Sequence, residues 1–144
     1  MTNIQHSIQK NLLNSQHMSE KHPFQKAVEK RDLTALSTSL AEDIIYYTPL
    51  SVKPYKGRED AMKIFTLAAR SFVFKDDFSY INFFRDGNTL LLMFRCRIGE
   101  YEADGVDYFE LDKDDKISVV RVMMRPFPAI KELARIVAEI RAQV

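Results

Sequence analysis

Residues 86–125 read DGNTLLLMFRCRIGEYEADGVDYFELDKDDKISVVRVMMR, and the fold turns on how they are read. Apolar and polar side chains alternate through 89–98, 101–111 and 117–125. A period of two is what a strand with two unlike faces imposes. A preceding run, 74–85, enters through Asp86-Gly87-Asn88, a hairpin signal because glycine and asparagine accept positive φ. Gly99 makes the next reversal and Asp112–Lys116 the third. Connections this short force antiparallel neighbours. Within 89–98, Leu90, Leu92, Phe94, Cys96 and Ile98 share one face, and Leu91, Met93, Arg95 and Arg97 the other. The first face packs on helices. The second, half apolar and half arginine, is expected to be covered.

Toward the N-terminus the period lengthens. Ala61, Ile64, Phe65, Ala68 and Phe72 fall at i, i+3, i+4, i+7 and i+11, the face of a helix. Ser51–Gly57, with Pro54 and Gly57, reads as a loop. Ile44-Ile45-Tyr46-Tyr47 is β-branched and aromatic, hence a strand, and Pro49 ends it. Asp32 caps a short helix whose face is Leu33, Leu36 and Leu40. His22-Pro23 opens a helix burying Phe24, Ala27 and Val28. On the C-terminal side, Pro126 and Pro128 stop the last strand and open a helix with face Ile130, Leu133, Ala134, Val137 and Ile140. Helices segregated to one side of an antiparallel sheet make an α+β domain, predicted over 21–144. Residues 1–20, rich in Asn, Gln, Ser and His, read as a polar arm, poorly ordered or weakly helical. Ile4, Ile8 and Leu12 have helical spacing, so a partner-dependent helix there is open.

The whole chain has 144 residues, 46% hydrophobic and 28% charged, enough to bury about two-thirds of its extended surface without metal or disulfide. Lys plus Arg number 21 against 20 acids, which gives no electrostatic reason for a nucleic-acid or anionic-membrane partner. One cysteine, Cys96, excludes an internal disulfide framework and reads as inert packing. No stretch reaches the roughly 18 apolar residues of a membrane span, and Met1–Glu20 has no signal-peptide pattern, so a cytoplasmic location is expected. His6, His17 and His22 lack ligand spacing; no metal and no cofactor are expected. Asp112–Asp115 hints at a calcium loop, but its twelfth position is Met123, so it reads as a hairpin turn. Gly57-Arg58-Glu59 reads as a plain entry to a helix rather than an anion site.

Several fragments in order carry a likeness. His22-Pro23, Arg31-Asp32-Leu33, Leu40-Ala41-Glu42-Asp43, Pro49 and Tyr55-Lys56-Gly57-Arg58-Glu59 are followed by Asp104-Gly105-Val106-Asp107, Asp115-Lys116-Ile117 and Arg125-Pro126. From about Lys21 onward the chain resembles the SnoaL-like branch of the nuclear transport factor 2-like superfamily. The resemblance implies a curved, mixed, mainly antiparallel sheet wrapped around helices, a cone-shaped cystatin-like barrel with a pocket, and dimers through the outer sheet face. Function transfers less well, because the superfamily holds isomerases, dehydratases, cyclases and non-enzymatic modules. In its ketosteroid isomerases a carboxylate base precedes the proline after the first strand; at the resembling position this chain has Thr48. Their tyrosine donor on the first helix corresponds to Phe24. Only their protonated aspartate, kept neutral by its apolar surroundings, has a counterpart, Asp107. The resemblance therefore argues against ketosteroid-type isomerisation.

Asp107 also stands out by alternation, sharing a strand face with Phe109 and Leu111. Such surroundings desolvate a carboxyl and raise its pKa. Two readings stay open: an acid–base group, or a buried structural acid hydrogen-bonded to an amide or a tyrosine. The expected pocket walls are Phe24, Tyr46, Thr48, Phe65, Phe72, Phe94, Asp107, Phe109, Val122 and Met124, a Phe- and Met-rich concavity suited to a small hydrophobic or aromatic metabolite. Binding of such a molecule in an enclosed pocket is the leading expectation. The alternatives are an isomerase, cyclase or dehydratase using Asp107, helped by Tyr46 or Tyr80, and a protein-association module using the outer sheet or the arm. A homodimer through Met93, Arg95, Arg97, Arg121 and Met123 is expected, since methionines among arginines resemble an interface core.

Overall fold

The computed structural model describes residues 3–9 and 20–143. Four strands follow from the alternating runs: β3 (Ser79–Asp86), β4 (Thr89–Ile98), β5 (Tyr101–Leu111) and β6 (Ile117–Arg125). Two further strands, β1 (Leu40–Tyr47) and β2 (Tyr55–Lys56), complete a six-stranded sheet ordered β2-β1-β6-β5-β4-β3. All neighbours are antiparallel except β1 and β6, which run parallel, so the sheet is mixed. Along β4 the predicted inner face, Leu90 to Ile98 by twos, is buried, and Met93, Arg95 and Arg97 face out. Burial therefore follows the pleat.

Helices cover the inner face. Helix α1 (Pro23–Glu29) buries Phe24, Ala27 and Val28; α2 (Leu33–Thr38) buries Leu36; α3 (Arg58–Ala68) buries Ala61 and Phe65; α4 (Phe127–Ala142) buries Ala129 and Leu133. Asp32 caps α2 by accepting from the Ala35 amide at 3.0 Å. Asp112 closes the β5–β6 turn by accepting from the amides of Asp114 and Lys116, as the hairpin reading of that acidic run requires. His22 caps α1 with Nδ1, which accepts from the Phe24 amide at 3.1 Å. Its Nε2 therefore carries the proton and donates to the Asp115 carbonyl at 2.8 Å. Burial lowers the pKa of this imidazole and keeps it neutral. Thus His22 ties α1 to the β5–β6 turn.

Several boundaries differ from expectation. Leu40 opens β1 instead of closing the helix face of α2, because the chain turns at Ser39 and Leu40 pairs with Ile117. Tyr55-Lys56, expected as loop, forms a short edge strand against Ile45 and Tyr46. The run 74–85 becomes a strand only at Ser79. Before it, α3 continues as a single π-turn (Ala69–Val73), closed by the Phe74 amide donating to the Ala69 carbonyl at 3.0 Å. The charged stretch Lys75-Asp76-Asp77 is then exposed as a turn. Ala134 is exposed, and Ile136 joins Val137 on the inward side of α4. Of the predicted arm, residues 3–9 are helical with Ile4 and Ile8 exposed. Leu12 and His17 lie outside the described residues.

The core has two parts. One lies under α1, α2 and α3 and includes Phe24, Phe65, Leu92 and Phe109. The other lies under α4 and includes Phe72, Phe94, Cys96 and Leu133. Val73, Phe78, Tyr80 and Val122 pack against both, so the seam between the two cores runs past these four residues.

Candidate functional site

Asp107 stands at this seam. It is an odd-numbered residue of β5, on the face that also carries Phe109 and Leu111, and the pleat sends it inward. Its cross-strand partners are Leu92 and Val122, whose side chains offer no hydrogen bond. The residue is 9% exposed. Removal from water pushes its carboxyl up to about 7, and one hydrogen bond offsets part of that: the Tyr80 hydroxyl donates to Oδ2 at 3.0 Å. Tyr80 reaches it from β3, two strands away. Burial, reinforced by the Asp107 charge, raises the phenols of Tyr80 and Tyr46 well above their usual range. Both tyrosines therefore stay protonated, while Asp107 exchanges its proton near neutrality.

The space beside this group includes two small chambers, and Tyr80 also borders an open polar cleft of about 160 Å³ with Phe78, Arg31 and Lys75. The inner one, about 40 Å³, is lined by Asp107, Tyr80 and Tyr46 among aromatic side chains, including Phe24, Phe65, Phe72, Phe78 and Phe94. The second, about 90 Å³, opens outward between β1, α3 and α4 and includes Thr48, Leu50, Leu67, Met124 and Val137. Tyr46, Ala68, Phe72 and Val122 line both and form the partition. Each chamber is well below the roughly 300 Å³ of a site that engulfs a drug-sized ligand. The single ample pocket expected from the sequence is thus corrected to a narrow two-stage cavity. The reason lies in the aromatic side chains, which fill the space they line: Tyr46 stacks on Phe65 at 4.4 Å and Phe78 on Phe94 at 5.4 Å.

Of the predicted wall residues, Phe24, Phe65, Phe94 and Asp107 lie in the inner chamber, Thr48 and Met124 in the outer, and Tyr46, Phe72 and Val122 in the partition. Phe109 is corrected. It is fully buried and packs edge-on against Phe24 at 4.8 Å, so it supports the wall from behind without reaching the cavity. Thr48, at the position where the resemblance places a base, accepts from the Leu50 amide at 3.2 Å. Phe24, at the position of a phenol donor, presents only a ring. Sequence reasoning missed Leu50, Leu67, Phe78 and Arg141 among the lining residues. Leu67 and Arg141 fall off the predicted helix faces, and Phe78 lies just before the observed start of β3 at Ser79. Among the described residues no cluster of His, Cys, Asp or Glu could hold a metal ion. Cys96 is buried, and its thiol is pushed up to about 12 by desolvation, which makes it a poor nucleophile.

A model of the SnoaL-like domain matches residues 23–120. A steroid delta-isomerase from Pseudomonas aeruginosa is similar in structure, with a TM-score of 0.75 and 29% identity over 82% of this chain and 85% of that one. An uncharacterized protein with a cystatin-like fold from Silicibacter pomeroyi has a TM-score of 0.75 and 27% identity, covering 81% of each chain. An NTF2-like protein of unknown function from Cytophaga hutchinsonii shares the fold at a TM-score of 0.57 and 19% identity, over 75% of this chain and 88% of that one. Among curated proteins none matches this chain. No described helix is long and apolar enough to cross a membrane.

Proposed function

Because the chain belongs to the SnoaL-like domain family, we propose that its two chambers, joined when the partition side chains move aside, bind a small, mainly apolar molecule and hold that molecule's one carbonyl or hydroxyl against Asp107 and Tyr80. One observation carries the reading: a desolvated carboxyl and a phenol, hydrogen-bonded at 3.0 Å, in the wall of a cavity otherwise lined by apolar side chains and the Tyr46 phenol. A buried polar pair among aromatic walls selects a ligand with one matching polar atom, because an unmatched partner leaves it unpaired. The small volume limits the ligand to a slim or compact one. Cyclohexanone and methylcyclohexane, of similar shape, test this by amide-resonance titration. The ketone is expected to bind more tightly, and Tyr80→Phe to weaken the ketone alone. Equal binding of the two compounds, or indifference of the ketone to Tyr80→Phe, would sink the reading.

A second reading adds chemistry. A carboxyl with a pKa of about 7 is matched to proton transfer at neutral pH, and neutral phenols beside it can donate to a developing oxyanion. The similarity to a steroid delta-isomerase at 29% identity supports proton chemistry next to a carbonyl, with Asp107, the one carboxyl among the described residues lining the inner chamber, moving the proton, since Thr48 has no usable pKa. The expected outcome is accelerated exchange of ketone α-protons in D2O, rising through about pH 7 and lost in Asp107→Asn. Exchange at the solvent rate would leave only the binding role.

A further inference from the structure

The outer chamber opens onto a charged groove. Its own wall is mainly apolar and carries one charged side chain, Arg141, in the last turn of α4. Arg141 and Leu67 also line the groove beyond it, an open trough of about 640 Å³ between α3 and α4. That groove carries Lys63, Arg70 and Arg141 against one acid, Glu59. Lys63 is partly engaged by Asp60 at 3.4 Å. Among the described residues neither Arg70 nor Arg141 is in an ion pair. The π-turn links the two ends of this path. It turns Phe72 inward as part of the partition and Arg70 outward onto the groove.

Three stages therefore lie in sequence: the inner chamber with its carboxyl–phenol pair, the apolar outer chamber across the partition, and a guanidinium-rich rim. We infer that the ligand is amphipathic and bifunctional, with a carbonyl or hydroxyl at the Asp107 end, an unbranched or flat apolar body, and an oxyanion, carboxylate or phosphate, held at the rim by Arg70 and Arg141. This rests on the cavity reading above and adds the anionic end. Guanidinium is the side chain suited to the task, since its planar fork donates two parallel hydrogen bonds to such a group. The two arginines are exposed, so their attraction is screened by salt and serves selection more than raw affinity. An anionic end outside the cavity also fits the small apolar chambers, because the charge never leaves water while the hydrocarbon does.

The test compares 9-oxodecanoate with 2-decanone on the full chain by amide-resonance titration. Both carry a methyl ketone on a ten-carbon chain, and only the first has a terminal carboxylate. The expected result is about fivefold tighter binding of the keto acid at low salt, the scale of an exposed ion pair. Shifts should appear at Tyr80 and Asp107 and also at Leu67 and Arg141. The advantage should vanish in the Arg70→Ala/Arg141→Ala double variant and in about 0.5 M salt, where screening is strong. If both ligands bind equally with shifts at Tyr80 and Asp107, the anionic rim is overturned and the cavity reading stands. The assignment to these arginines also falls if the double variant keeps the advantage. If neither ligand shifts Tyr80 and Asp107, both readings fall.

Discussion

Asp107 costs the folded protein stability at neutral pH, and the sign of that cost makes it measurable. Its pKa is about 7 in the fold, against an ordinary carboxyl at 3.8 in the unfolded chain. Between those values the unfolded chain releases the proton and the folded one keeps it. Stability is therefore full below about pH 4, declines as pH rises, and levels off above about pH 7. The loss is on the order of 4 kcal/mol at most. Asp107→Asn keeps an acceptor for Tyr80 and removes the charge, so it should melt well above the wild type at pH 8 and near it at pH 4. Thermal melts across that range decide the matter; a difference that does not change with pH would mean the carboxyl is well solvated. A residue retained at such a cost is a candidate for function by ordinary stability–activity reasoning. The sequence announced Asp107 twice, through alternation and through the family resemblance. Its partner Tyr80 was named as a helper, but nothing in the spacing of β3 and β5 predicts that the phenol reaches Oδ2.

At the scale of elements, β5 is held in place by what it lacks at one position. Gly105 lies opposite Phe94 and Met124 across the two adjoining strands. A Cβ there would sit 2.7 Å from the Phe94 ring and would also strike the Met123 carbonyl. The backbone oxygen cannot move aside without breaking the β5–β6 register. Gly105→Ala should therefore cost about 3 kcal/mol, the upper range of overpacking. Urea unfolding with an unchanged slope would report it, and a neutral substitution would mean the sheet yields at this point. The strands, the hairpins and the helix caps were legible because each rests on local chemistry: alternation, Asp86-Gly87-Asn88, Asp32. The π-turn at Ala69–Val73 and the edge strand Tyr55-Lys56 were not. Both exist because tertiary packing holds them, the first by drawing Phe72 into the core and the second by pairing with β1.

For the whole molecule, the outer sheet face is the surface that the helices leave uncovered. Phe84, Met93 and Met123 stand on it, with Met123 53% exposed and Phe84 59%. Arg97 pairs across to Glu102 and Arg125 to Asp104, each at 3.5 Å. An apolar centre with a charged border has the anatomy of an interface, and we propose that a second copy of the chain covers it. Light scattering should then give a dimer for the wild type and a monomer for Met93→Glu/Met123→Glu with an unchanged circular dichroism spectrum. A wild-type monomer at micromolar concentration would overturn this.

By itself the sequence determined which residues alternate, where the chain reverses, which segments coil and which side of the sheet is buried. Those follow from the side-chain periods of strand and helix and from the turn residues between them, all written within a few positions of one another. Family membership was legible for the same reason, since it rests on ordered local fragments. Only the tertiary structure decided the size and shape of the cavity. Aromatic residues on several elements either line a space or fill it according to distances of an ångström, and no pattern along the chain encodes that. It also set Asp107 against Tyr80, withdrew Phe109 behind Phe24, and brought Arg70 and Arg141 to one rim from distant parts of the chain. Each of these depends on how separate elements cross, and a strand's or helix's own period carries no information about its neighbour.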